Sequence, residues 1–79
     1  MTPSDIDLLN AFARDLAHKT FHGHGSVVRT ENGIVQLMLV RNNRKGAGSV
    51  YRTCERISLD FESASRDIYR AVQGIKEQN

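Results

Sequence analysis

Three histidines, His18, His22 and His24, stand at H-x3-H-x-H. That spacing raises a transition-metal site, because imidazole is the commonest ligand for such metals. A tetrahedral zinc site wants further sulfur or carboxylate ligands, and no cysteine pair or nearby acid joins these three; Cys54 is the sole remote candidate. They read as solvent-facing or turn-bonded histidines at a helix end, with no metal and no cofactor expected.

The run Arg44-Lys45-Gly46-Ala47-Gly48-Ser49 is a basic glycine segment whose backbone N–H groups suit a phosphate. It is not a Walker A loop, since Lys45 precedes the glycines and no Gly-Lys-Ser/Thr follows them. Cys54 lies between Arg52 and Arg56, a setting that lowers a thiol pKa only if the sulfur is exposed, and its plainer reading is a small buried or half-buried apolar residue. Nucleophilic catalysis needs a base held by a carboxylate beside a serine or cysteine, and no motif places one there. Paired carboxylates are also missing, because Asp5 and Asp7 open a helix while Glu62 and Asp67 belong to a helix surface. No catalytic residue is expected, and the chain is read as a non-enzyme.

Charge is the most informative feature that remains. The net charge is only +2, but residues 41–56 hold Arg41, Arg44, Lys45, Arg52 and Arg56 against Glu55 alone. These five cations form the expected partner-binding set, facing an acidic protein surface or a phosphate backbone. Tyr51 is the one aromatic among them, which argues against a stacking platform for single strands.

The longest apolar run, 34–40, is far below the roughly 20 residues that a membrane helix needs. The acidic start Met1-Thr2-Pro3-Ser4-Asp5 lacks a signal core, and the single cysteine excludes an internal disulfide. A cytoplasmic protein is expected, with no membrane partner.

These side chains must be positioned by 79 residues, enough for one domain, 1–79, that buries only about 60% of its unfolded surface. Ser4 as N-cap ahead of Asp5 and Asp7, with Ile6, Leu9, Phe12, Ala13, Leu16 and Ala17 recurring at three and four, predicts a helix over 5–19. The glycines of Phe21-His22-Gly23-His24-Gly25 then turn the chain. Asn32-Gly33 between the β-prone runs 26–31 and 34–41 predicts a hairpin with a type I′ turn. A loop follows over 42–48, then a third strand over 49–57. A second helix, capped by Asp60, runs to about Gly74 on the stripe Phe61, Ala64, Ile68, Ala71, Val72 and Ile75. The order is α+β, a two-layer αβββα domain: helix, three-stranded antiparallel sheet, helix.

Counting pairs outward from a two-residue turn sets Val28 opposite Leu37. One sheet face then carries Val28, Val35, Leu37 and Leu39, and the other Val27, Ile34, Met38 and Val40 with Arg29 and Gln36. An apolar second face admits two explanations. Either the helices lie on opposite faces, or the sheet curls, and all of this is core; or Val27, Ile34, Met38 and Val40 form a homodimer or partner contact.

The order of elements is similar to that of double-stranded-RNA-binding domains. Their last helix begins with phosphate-binding lysines, whereas Asp60-Phe61-Glu62 stand there in this chain, so RNA binding is not carried over. In length, architecture and polarised charge the chain also resembles the small single-domain inhibitors of phages and mobile elements, including anti-CRISPR proteins. That resemblance implies a protein-binding module that occludes a nucleic-acid-handling complex without catalysis. The alternative is a small nucleic-acid-binding protein using the same basic residues.

Overall fold

The computed structural model describes residues 4–45 and 49–77. Its elements run α1 (Asp5–Phe21), β1 (His24–Arg29), β2 (Ile34–Lys45), β3 (Ser49–Asp60), a 3-10 turn (Phe61–Ser63) and α2 (Ala64–Glu77). The sheet is antiparallel in the order β1-β2-β3, so the αβββα architecture expected from the sequence is the one observed.

Helix α1 starts on a reciprocal cap, in which the Asp7 N–H donates to Ser4 Oγ at 3.2 Å and the Ser4 N–H to Asp7 Oδ2 at 3.4 Å. It ends with His22 in the left-handed region at φ 59°, its N–H bonded to the His18 carbonyl while that of Gly23 reaches the Ala17 carbonyl. A histidine therefore takes the conformation expected of a glycine. Gly25 has a different duty inside β1: a Cβ there would sit 2.5 Å from the Ala13 carbonyl oxygen. Ala13, Ala17 and Gly25 together let α1 lie directly on the strand.

Both helices cover one face of the sheet. The core joins Ala13, Ala17 and Phe21 of α1 and Ala64, Ile68, Val72 and Ile75 of α2 to Val27, Val35, Leu37 and Leu39, with Ile57 and Leu59 half-buried at its margin. Each fully buried side chain such as Leu37 or Ile68 contributes about 1.5–3 kcal/mol. Phe12, expected on the core stripe, is instead 38% exposed. It stands near the edge of a stripe whose centre is taken by Ala13 and Ala17.

The hairpin turn has the expected geometry, with Asn32 at φ 57° and Gly33 at φ 73° and the Ile34 N–H bonded to the Glu31 carbonyl. Its register does not. The Thr30 N–H and hydroxyl both donate to the Ile34 carbonyl, at 2.9 and 2.8 Å, so Thr30 and Glu31 together oppose Ile34 in a bulge. Val27, not Val28, consequently faces Leu37. Val27 is buried at 4% exposure and Val28 is 53% exposed, which removes Val27 from the outer face and puts Val28 there.

Several boundaries also move. Strand β2 continues to Lys45, with Asn42 opposite Arg52 and Lys45 opposite Ser49, so 42–45 are strand and not loop; the remainder of the expected loop, 46–48, lies outside the described residues. Strand β3 extends to Asp60, and α2 proper begins at Ala64 after the 3-10 turn. Asp60 makes no side-chain cap bond; the Ser63 hydroxyl donates to Asp67 Oδ2 at 2.8 Å instead. Among the described residues no helix is long and apolar enough to cross a membrane.

Candidate macromolecular interface

The last pair between β1 and β2 is His24 with Val40. Beyond it, residues 41–45 and 49–53 pair only with each other, forming a two-stranded ribbon of roughly 15 Å at the ordinary strand rise. Segment 41–53 contains Arg41, Arg44, Lys45 and Arg52 and no acid at all. The β-hairpin thus gathers four of the five expected cations on one projection. Arg44 is in register with Val50 and Lys45 with Ser49, and the side chains of both cations lie outside the described residues.

Arg41 has a different function from the other four. It shares strand parity with Val35, Leu37 and Leu39, so its side chain lies on the helix side of the sheet. There Nη1 donates to the Ile75 carbonyl at 2.9 Å. A cation suits the negative end of α2, and the bond satisfies one of the carbonyls a helix end leaves unpaired. Arg41 is a structural tie between ribbon and helix.

Arg52 and Arg56 lie on the opposite, uncovered face and are exposed. Among the described residues neither is in an ion pair; the salt bridges there are Arg14–Asp15 at 3.8 Å and Arg66–Asp67 at 4.0 Å, on the surface. Register sets Arg56 opposite Met38 and Cys54 opposite Val40. On β2's other side Ser26 faces Met38 and His24 faces Val40. Met38, Val40 and Ile34 are half-buried and Val28 exposed; the free Cys54, expected to be at least half-buried, is exposed too, because its even position on β3 turns it to the face without helices.

Arg14 on α1 completes the arrangement. Together with His24 and Arg52 it bounds an open groove of about 590 Å³, floored by Met38 and Val40. Two cations from different elements thus line one groove together with two apolar side chains. Arg14 lies outside the basic segment of the sequence, and only the lie of α1 along β1 brings it here. The other end of the outer face is acidic, with Asp60 opposite Ile34 and Glu62 just beyond.

The histidines do not converge as a ligand set. His18 and His22 stack edge to face at 6.2 Å between ring centroids, and His24 is on β1. Among the described residues no three histidine, cysteine or acidic side chains are placed to hold a metal ion. A second exposed apolar area lies in the helical layer, where Leu8 and Phe12 border a shallow groove with Phe61 and Ser65, and exposed Tyr69 follows one turn along α2. Periodicity alone hid it, because Phe12 falls beside the core stripe.

Comparison with known proteins finds no matching family model, no matching curated protein and no matching solved structure.

Proposed function

We propose that this chain is a non-catalytic protein-binding module of the inhibitor or adaptor kind, which holds an acidic partner surface through its basic ribbon and the adjoining outer face. The observation that carries this reading is the open groove in which Arg14 and Arg52 flank Met38 and Val40, continuous with a ribbon segment that has cations and no acids. An apolar centre with a charged rim is how protein interfaces are built, the centre supplying affinity and the rim orientation and association rate. Arg44, Lys45 and Arg52 then contact the partner, while Arg41 holds the ribbon in place. The occluded partner is a nucleic-acid-handling complex, met on an acidic surface by a small polarised inhibitor of the anti-CRISPR kind. It acts in the cytoplasm and uses no cofactor.

The test is capture from a host lysate on the immobilised chain, run beside the Arg14→Glu/Arg52→Glu variant. A protein retained by the first and lost by the second supports the reading. Equal retention by both places binding elsewhere.

One observation favours a second reading. A two-stranded β-ribbon fits the major groove of B-DNA, and this ribbon is basic. Fluorescence anisotropy with duplex and single-stranded DNA and RNA across a salt series separates the two. Micromolar binding that weakens steeply with salt marks nucleic-acid binding, and no binding at low salt removes it.

A further inference from the structure

The two edges of the sheet are not alike. On β1, the Thr30 bond to Ile34 and strict alternation turn the backbone groups of Gly25, Val27 and Arg29 outward. The edge is closed by α1, whose Asn10 Oδ1 accepts from the Val27 N–H at 2.9 Å. Strand β3 is the other edge. Alternation there directs the N–H and C=O groups of Arg52, Cys54, Arg56, Ser58 and Asp60 away from β2, and all five residues are exposed. A strand of 12 residues whose outer edge pairs with no other strand among the described residues is a template for another strand.

We propose that β3 pairs antiparallel with β3 of a second copy about a two-fold axis at Ser58, setting Arg56 against the partner copy's Asp60 in both directions and continuing the sheet through the dimer. This goes beyond the partner-binding reading and does not depend on it.

The side-chain order of β3 selects that register. An axis through Cys54 would oppose Arg52 to Arg56, and one through Arg56 would set Arg52 against Asp60 but oppose Arg56 to itself at the centre of the pairing. An axis through Glu55 opposes like carboxylates, and one through Ile57 leaves Arg56 facing a serine. With the axis at Ser58 every charge in segment 56–60 meets its opposite. On the helix side of the sheet, Ile57 then faces Leu59 of the other copy at a close, non-hydrogen-bonded pair. Both residues are half-buried at the core margin, and the second copy covers their remaining surface. Charges on an edge ordinarily prevent pairing; here they prevent the wrong registers and favour one.

Sedimentation velocity on the full chain up to high micromolar concentration tests the pairing. A dimer is expected. Arg56→Asp and Asp60→Arg should each weaken it at least about tenfold through like-charge opposition, and the two reversals combined should restore it. Asp60 makes no cap bond and Arg56 is exposed, so circular dichroism should show each variant folded. Ser58→Cys in a Cys54→Ser background checks the register without any charge change: mild oxidation should yield a covalent dimer. A monomeric wild-type chain, reversals that leave the dimer unchanged, or cross-linking through native Cys54 in place of position 58 would each overturn the proposal.

Discussion

Arg41 Nη1 lies 2.9 Å from the Ile75 carbonyl oxygen, so the base of the basic ribbon is bonded to the end of the last helix. Replacing it should therefore act on the fold. Arg41→Ala removes a charge-assisted bond at a partly buried helix end and should lower unfolding free energy by about 1.5–3 kcal/mol. Arg52→Ala, on the exposed face, should stay within about 0.5 kcal/mol. Chemical denaturation of the two variants side by side measures the difference.

Close approach of α1 to β1 makes opposite predictions for two glycines. Gly25→Ala drives a methyl to 2.5 Å from the Ala13 carbonyl, and the strand must move off the helix, at a cost of about 2 kcal/mol or more. Gly74 is within α2 with nothing inside 4 Å of an added Cβ, so Gly74→Ala should stabilise by about 0.5–1 kcal/mol. Melting temperatures moving in opposite directions would confirm both.

The hairpin bulge is tested by one substitution made at two neighbours. Val27→Thr places a hydroxyl in the core and should cost about 1–3 kcal/mol. Val28→Thr keeps the β-branched shape on a side chain that is 53% exposed and should change stability by no more than about 0.5 kcal/mol. A plain two-residue hairpin register predicts the reverse order.

That pair of valines also marks where reading the sequence stops. Both helices, the three strands and the Asn32-Gly33 turn are legible because periodicity and positive-φ residues are local signals. The bulge is not, because it depends on Thr30 bonding twice to one carbonyl, and a single added residue transfers Val27 and Val28 between faces. Residues 42–45 read as loop from their polar composition, yet their pairing with 49–52 makes them strand. Arg41 could have been separated from the other cations by parity alone, since it follows Val35, Leu37 and Leu39 at alternate positions. Arg14 could not have been found from the chain order, because its place in the groove that Arg52 also lines is set by the packing of α1.

The exposed helical patch is separable from the outer face. Phe12→Ser and Tyr69→Ser remove apolar surface that is 38% and 53% exposed, and lysate capture should be unaffected by the pair, with stability falling by no more than about 1 kcal/mol. Mass spectrometry of the retained proteins reads the outcome.

The claim at the centre of the account is that the ribbon cations other than Arg41 serve binding and not folding. Isothermal titration of the captured partner with the Arg44→Glu/Lys45→Glu variant tests it most directly, alongside that variant's melting curve. The melting temperature should hold nearly constant, while affinity falls at least about a hundredfold as attraction becomes like-charge repulsion. A folded variant that binds at full strength would contradict the claim and move the interface to the helical surface around Leu8, Phe12 and Tyr69.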